Sequence, residues 1–114
     1  MGLPNATHQA AADGIKALGA YVAVFTGAGG GTTGANEATG GSYARKQTAW
    51  SSGTTGIVNG STQNISVPAG TYTEGGVFSA LTAGNFVGSA PFDAGNVVVS
   101  GAGASIDVTP RISA

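Results

Sequence analysis

The sequence contains no cysteine, a single histidine and few charged residues. Without cysteine, disulfides and thiolate metal sites are excluded, and one histidine cannot form a multi-histidine metal site. Charged residues make up 8% of the chain, against about 25% in typical soluble proteins, and the net charge is -1. Because this small charge creates no field that attracts phosphate or anionic lipid, we expect neither a nucleic-acid partner nor a membrane partner.

Long hydrophobic runs are also missing. No apolar run approaches the roughly 18 residues that a membrane-spanning helix needs, and the first eight residues lack the basic and apolar pattern of a secretory signal. The sequence therefore predicts a soluble protein made inside a cell. With so few charges, its surface must be polar through Gly, Ser, Thr, Asn and Gln, which favours a surface partly covered by partners.

At 114 residues the chain is predicted to form a single domain, 1-114, in which residues 1-19 are an N-terminal arm plus a helix. The helix is expected from about Ala6 to Leu18, with Asn5 or Thr7 as N-cap and Gly19 beyond its end. Ala11, Ile15 and Leu18 are spaced i, i+4 and i+7, which predicts that they form its apolar face.

From Ala20 onward, short β-prone segments alternate with glycine-rich turns. Residues 63-67 and 105-109 alternate polar with apolar side chains, as strands with one buried face do. Residues 82-85 are expected to form a hairpin turn. The other predicted strands are 20-26, 43-50, 75-81, 85-88 and 97-100. This pattern predicts an all-β fold, a small β-sandwich that is jelly-roll-like, with one short N-terminal α-helix; a small barrel is the alternative.

A glycine-rich segment, Gly29-x-Gly31-x-x-Gly34, follows the apolar run 20-25 and matches the spacing of a dinucleotide-binding loop. That function needs a helix after the loop and an acidic residue about twenty positions later. The paired glycines Gly40 and Gly41 would break such a helix, and the acidic position falls near Gln47 and Thr48. We therefore expect no cofactor. A long inter-strand loop is expected instead, which either reaches a neighbouring molecule or folds back over its own sheet.

Four residues are candidates for contact with a partner. Asn36 and Glu37 are the polar groups of the long loop, and Arg45 and Lys46 form the only basic pair. Alternation along a strand would place Tyr43 and Arg45 on one face and Lys46 on the other. The basic pair is expected either to bind a carboxylate of a partner subunit or to lie solvated at a sheet edge, where charges discourage unwanted strand pairing.

No catalytic or metal-binding constellation is predicted. His8 has no flanking feature of a catalytic base, and the acidic residues are scattered singly. A hydrolase site would require the fold to bring Glu74 and Asp93 together in a pocket. The larger aromatic residues are predicted to be core or interface anchors without a stacking platform for sugars or bases. They are Trp50, Phe78, Phe86 and Phe92.

Several specific stretches are shared with a known group of proteins. These are Thr33-Gly-Ala-Asn-Glu37, Gly41-Ser-Tyr-Ala-Arg-Lys46 and, less specifically, Val67-Pro-Ala-Gly70 and Asn85-Phe-Val-Gly-Ser-Ala-Pro91. Through them the chain resembles small virion structural proteins, labelled head-decoration, minor tail or tail-fibre-like, of tailed bacteriophages that infect actinobacteria. The resemblance covers nearly the whole chain. It implies a virion component without catalytic residues.

The resemblance implies one preferred function and one alternative. The preferred function is a capsid decoration protein, a minor capsid protein that binds and stabilises the outside of the icosahedral head. Its partner would be the major capsid protein, and the chain would act as a homotrimer on the capsid surface. The alternative is a minor tail or tail-fibre module for host-surface recognition, which would need a concave face with aromatic and amide groups.

Overall fold

The computed structural model describes residues 1–114 and contains one helix and ten strands. The predicted fold class, an all-β sandwich with one short N-terminal helix, is confirmed. The elements are α1 (Asn5–Lys16), β1 (Tyr21–Thr26), β2 (Lys46–Gln47), β3 (Trp50–Ser52), β4 (Ile57–Gly60), β5 (Gln63–Val67), β6 (Gly70–Phe78), β7 (Phe86–Pro91), β8 (Val97–Val99), β9 (Ala104–Val108) and β10 (Arg111–Ser113).

The largest sheet has five antiparallel strands in the order β2-β1-β6-β7, with β8 also paired to β6. Strand β6 is nine residues long and forms the centre of this sheet. It pairs with β1 on one side, and on the other side with β8 at its start and β7 at its end. The predicted hairpin turn at 82-85 is confirmed, because Ala83 and Gly84 adopt left-handed conformations between β6 and β7.

One face of the five-stranded sheet packs against the two-stranded sheet β5-β9. Along these two strands the apolar residues alternate with exposed polar ones, as predicted. Their buried side chains meet those of β1 and β6 in the main core cluster. Its members are Val22, Val24, Ala38, Ile65, Val67, Tyr72, Ile106 and Val108. The hydroxyl of Tyr72 donates to the Pro68 carbonyl at 2.6 Å, which satisfies the one polar atom of this core.

The opposite face of the five-stranded sheet carries a cluster of three phenylalanine rings. Phe25 is fully buried, and its ring centroid lies 6.0 Å from that of Phe78 and 5.9 Å from that of Phe86. The Phe25 and Phe78 rings are stacked, and the Phe86 ring meets Phe25 edge-on. Strand β1 is therefore buried on both faces, which explains its unbroken apolar sequence.

The glycine-rich loop folds back over these rings. A side chain at Gly34 would place its Cβ 2.9 Å from Phe78 Cζ and 3.0 Å from Phe86 Cγ, and the backbone there has φ +75°. Only glycine satisfies both conditions. The loop continues as turns rather than as a helix. Of the two expectations for this loop, folding back over its own sheet is therefore the one observed within the chain.

The helix α1 lies on the third sheet, whose strand order is β10-β4-β3. It begins one residue earlier than predicted, at Asn5, because the Pro4 carbonyl accepts from the backbone N–H groups of Thr7 and His8. The expected side-chain cap by Asn5 or Thr7 is absent. It ends at Lys16 instead of Leu18, where Leu18 N–H bonds to the Ile15 carbonyl in a tighter turn. No helix of this fold meets the length and hydropathy needed to cross a bilayer.

The predicted apolar face of the helix was wrong at two of its three residues, since only Ile15 is half-buried. Ala11 is exposed and Leu18, beyond the helix, is 60% exposed, whereas Ala12 is fully buried. The face that contacts the sheet follows the spacing i, i+3, i+4 and i+7, but from a polar residue. It comprises Gln9, Ala12, Asp13 and Lys16. The Gln9 side chain accepts from Gly56 N–H. The Ser52 hydroxyl donates to Asp13 and accepts from Lys16 Nζ.

Two strands were not predicted, and one predicted strand is divided into shorter segments. Strands β4 and β10 were not predicted, because each has at most four residues and depends on pairing with the other across about fifty positions. The predicted strand 43-50 exists only as β2 and as Trp50 at the start of β3. Tyr43 and Arg45 therefore do not lie on a strand.

Gly76 in β6 provides a test of how tightly the sheet packs against the phenylalanine cluster. A Cβ at Gly76 would lie 2.6 Å from Phe25 Cε2 and 2.7 Å from the Gly88 carbonyl oxygen, which is backbone and cannot yield. We expect Gly76→Ala to lower the free energy of unfolding by about 1–3 kcal/mol or more, measured by urea denaturation. Gly88→Ala is the matched control on the neighbouring strand β7, because nothing lies within 4 Å of its Cβ position. An equal loss in both variants would contradict this packing.

Candidate functional site

Two of the predicted contact residues, Glu37 and Arg45, form an ion pair inside the chain. Arg45 Nε lies 2.8 Å from Glu37 Oε2, and Arg45 Nη2 donates to Glu37 Oε1, also at 2.8 Å. This is the parallel two-bond geometry in which a guanidinium fits a carboxylate best. The Arg45 side chain is only 9% exposed and that of Glu37 is 20% exposed, so water screens the pair little.

Arg45 also connects this pair to the turn between β6 and β7. Its Nη1 donates to the carbonyl oxygens of Ala80 at 2.9 Å and Ala83 at 2.7 Å. Its guanidinium carbon lies 3.6 Å from the centroid of the Phe78 ring, in cation–π contact. One side chain thus holds together the long loop, the hairpin turn and the phenylalanine cluster.

Tyr43 is the third side chain of the Glu37–Arg45 cluster. Its hydroxyl donates to Glu37 Oε2 at 2.7 Å and accepts from the Val24 backbone N–H at 3.3 Å. Burial, together with the neighbouring Glu37 carboxylate, raises the pKa of Tyr43 well above its usual range. The hydroxyl therefore remains a donor at any physiological pH. The Glu37 carboxylate is consequently bound by two side chains of its own chain.

The ionisation of Glu37 predicts a pH dependence of stability. Burial alone would raise the pKa of Glu37, but hydrogen bonds from Arg45 and Tyr43 outweigh it and the pKa is lowered. Since the folded pKa lies below the unfolded one, the unfolded chain binds more protons in acid. The stabilisation is complete above about pH 5 and is lost as the pH falls through the folded pKa.

We therefore expect the urea midpoint of the wild-type chain to fall between about pH 5 and pH 3 more steeply than that of Glu37→Gln. Asp13, whose pKa is lowered by hydrogen bonds from Ser52 and Gln9, contributes equally to both proteins. Parallel curves for the two proteins would show that Glu37 is not stabilised in its charged form.

The other two candidate residues, Asn36 and Lys46, lie outside the ion pair. Asn36 is exposed and adopts a left-handed conformation with φ 64°, in which its side chain donates to the Gly29 carbonyl and its own carbonyl accepts from Thr26 N–H. It closes the glycine-rich loop. Lys46 is exposed on β2 and takes part in no salt bridge. The structure thus brings Glu37 and Arg45 together, with Asn36 next to them in sequence and Lys46 apart. A partner contact by these four residues stays a prediction.

Glu74, considered with Asp93 as an acid pair, is bound to the glycine-rich loop. Its Oε1 accepts from the Gly30 backbone N–H at 3.2 Å and from the Ser89 hydroxyl at 2.7 Å. A carboxylate of the chain itself thus binds an amide of the glycine-rich loop. Asp93 instead lines a cleft that does not include Glu74. No cluster of three or more His, Cys, Asp or Glu residues is arranged to hold a metal ion.

That cleft is a well-defined concave feature of the molecule. It has a volume of about 480 Å³ and lies between the ends of β6 and β7 on one side and of β9 and β10 on the other. This volume falls within the roughly 300–1,000 Å³ typical of small-molecule sites. Two aromatic residues, Trp50 and Phe92, line it and are half-buried. They were predicted only as core or interface anchors.

Both aromatic rings of the cleft are fixed in place. The Trp50 indole Nε1 donates to the Gly19 carbonyl at 2.9 Å. The Phe92 ring packs against the main core cluster and lies beside Gly75, where a Cβ would come within 3.2 Å of Phe92 Cε1. Because neither ring has to be ordered on binding, a ligand loses little affinity to side-chain entropy.

Charge is concentrated in the same cleft. The chain has four basic and five acidic residues, and three of these nine line the cleft, namely Asp93, Asp107 and Arg111. Asp107 Oδ1 accepts from Asn64 Nδ2 at 2.9 Å. The side chains of Asp93 and Arg111 form no hydrogen bond or salt bridge within the chain. Asp107 points to the exposed outer face of the β5-β9 sheet, where it pairs with Asn64, so the cleft offers one cationic donor and one anionic acceptor beside two aromatic rings.

A family model described as "Podophage GP4 fiber I protein gp80" matches residues 7–110. The chain belongs to this family. Membership makes it a fibre-type structural protein of a phage virion, in agreement with the coarser part of the resemblance seen in the sequence. No curated protein and no solved structure matches the chain. The infection of an actinobacterial host, the capsid location and the homotrimer stay predictions.

The cleft of this fibre I family member was not predicted from the sequence. Trp50, Asp93 and Arg111 stand far apart in the chain and meet only because β3, β7 and β10 come together in the fold. No local spacing marks them. The available signal was chemical, since Asp93 and Arg111 belong to the few charged residues of a chain in which charge is rare.

Proposed function

We propose that this protein is a tail-fibre module that recognises the surface of the host cell. The observation that carries the proposal is the match of residues 7–110 to the phage fibre I family. The cleft supports it, because a recognition module needs an exposed concave face with aromatic and hydrogen-bonding groups. The sequence alone favoured capsid decoration, but the fibre family favours the alternative.

A structural role without catalysis is consistent with the geometry. Glu37 and Glu74 each bind neighbouring groups of the chain, as carboxylates with a structural role do. The carboxylate of Asp93 lies in the open cleft without a second titratable group hydrogen-bonded to it. We therefore propose binding, and not bond cleavage, as the activity.

We also propose that the module acts as a homotrimer. The surface exposes several large apolar residues, which is expected where copies of the chain cover one another. They are Met1, Leu3, Leu18, Leu81 and Val98. Mass measurement of the purified chain in solution tests this, and a monomer at micromolar concentration would contradict it.

The location is tested by electron microscopy of purified phage particles labelled with a gold-conjugated antibody against this protein. We expect gold on the tail and none on the head. Fab fragments of the same antibody should also reduce adsorption of the phage to its host, while Fab fragments against the major capsid protein should not. Gold spread over the head would overturn the fibre proposal and restore capsid decoration.

A further inference from the structure

We propose that the cleft lined by Trp50, Phe92, Asp93 and Arg111 binds a neutral saccharide, with one or two sugar rings between the aromatic residues and the charged rim. This assignment rests on the proposed function, since it names the ligand class that a host-recognising fibre module would take. It concerns a site that is separate from the Glu37–Arg45 cluster.

The polar groups of the cleft match the hydroxyls of a sugar. A carboxylate has two acceptor oxygens and can accept from two neighbouring hydroxyls, while a guanidinium donates to hydroxyl and ring oxygens. Asp93 and Arg111 have no partners of their own, so binding would break no internal contact.

The aromatic rings of the cleft suit the apolar faces of a sugar ring. A sugar ring presents C–H groups on its faces, and these pack favourably on the flat apolar surface of an aromatic ring. Trp50 is held by Gly19 and Phe92 by the core, so both rings are in place before a ligand arrives. This combination of aromatic faces and converging charged groups distinguishes the cleft from the apolar surface residues elsewhere.

The balance of charge disfavours the other common ligands of such a cleft. Asp93 and Arg111 give the lining no net charge, so it has no excess positive charge to attract phosphate, nucleic acid or acidic sugars. A purely apolar partner would leave Asp93 and Arg111 desolvated without hydrogen bonds, which is unfavourable. A neutral ligand rich in hydroxyls satisfies both conditions.

Trp50 is the only tryptophan in the chain, so its fluorescence reports on the cleft alone. The full chain is titrated to high millimolar concentration with glucose, galactose, mannose, rhamnose and N-acetylglucosamine, and separately with glucuronate and inorganic phosphate. We expect a saturable change in Trp50 emission with at least one neutral sugar. Glucuronate and phosphate should bind more weakly than the best neutral sugar.

Three variants separate the cleft from the rest of the surface. Asp93→Asn and Arg111→Gln should each weaken the binding of that sugar roughly tenfold to a hundredfold, the range expected for losing a charge-assisted hydrogen bond. Lys46→Gln is the control, because Lys46 is also exposed and unpaired but lies outside the cleft, and its affinity should equal that of the wild type. Since all three residues are exposed, the variants should remain folded.

Each contrary outcome overturns the assignment. One is an unchanged Trp50 emission with every neutral sugar, and another is equal binding in Arg111→Gln and Lys46→Gln. A response to phosphate alone would identify an anion site instead. An emission change that follows protein concentration without sugar would show that a second copy covers the cleft. If gold labels the tail while no sugar binds, only the cleft assignment fails; if gold labels the head, the fibre proposal fails whatever the titration gives.

Discussion

Replacing Arg45 with methionine is expected to lower the free energy of unfolding by about 2–4 kcal/mol, measured by urea denaturation at neutral pH. The variant removes both hydrogen bonds to Glu37 and leaves that carboxylate four-fifths buried without its counter-ion. It also leaves the Ala80 and Ala83 carbonyls without their donor. The cost of uncompensated buried polar groups exceeds the gain from a more apolar side chain.

Lys46→Met is the matched control for this prediction. It makes a comparable change at the next residue, but Lys46 is exposed and forms no salt bridge. We expect its effect to stay within about 0.5 kcal/mol. Equal effects of the two variants would show that Arg45 is solvated, as the sheet-edge interpretation of the sequence assumed.

A double variant, Glu37→Leu with Arg45→Met, tests whether the loss comes from the unpaired carboxylate. Removing both charges removes the buried anion, so we expect the double variant to be more stable than Arg45→Met alone. The coupling free energy from the four proteins measures the interaction directly. A double variant that is merely the sum of the two single effects would contradict direct pairing.

The parts of the fold that the sequence predicted are those with local causes. Strands β5 and β9 follow from the alternation of apolar and polar residues, because a half-buried strand requires that pattern within its own length. The β6–β7 turn follows from Ala83-Gly84-Asn85, since glycine readily adopts a left-handed conformation. The position of the helix was also predicted from local sequence, although the face that it buries was not.

The parts that were missed depend on contacts between distant residues. The helix face was assigned from its apolar residues, whereas the sheet beneath it offers Ser52 and the Gly56 amide, which select Gln9 and Asp13. Nothing near the helix in sequence indicates this. Tertiary contacts here override the preference that composition alone would give.

In the candidate site, too, local sequence predicted one part and long-range contacts decided the other. Glu37 and Arg45 were both singled out by charge, yet the sequence left open whether each would contact a partner or remain on its own chain. Between them the chain turns at Gly40 and Gly41, both in left-handed conformations, and Tyr43 N–H bonds to the Gly40 carbonyl. The two side chains lie face to face across eight positions. Residue type thus identified the participants, and backbone geometry decided what they bind.

Replacing Phe25 with alanine is the other large effect, a loss of about 3–5 kcal/mol in the free energy of unfolding. Phe25 is fully buried between the rings of Phe78 and Phe86, so its removal leaves a cavity at the centre of the cluster. Phe92→Ala is the matched control, because Phe92 is half-buried and borders an open cleft that water fills when the ring is lost. We expect a smaller loss there, about 1–2 kcal/mol.

The same variant tests why the loop is rich in glycine. Gly30 and Gly34 rest on the three rings, and the Gly34 backbone N–H donates to the Gly30 carbonyl at 2.8 Å. Without the Phe25 ring the loop loses part of the surface it packs on, so the Gly34 amide should exchange with solvent faster in Phe25→Ala than in Phe92→Ala after correction for global stability. Unchanged protection of Gly34 would mean that Glu74 and Asn36 hold the loop by themselves. Faster exchange would show that packing against the phenylalanine rings, which the missing side chains of Gly30 and Gly34 permit, holds the loop in place.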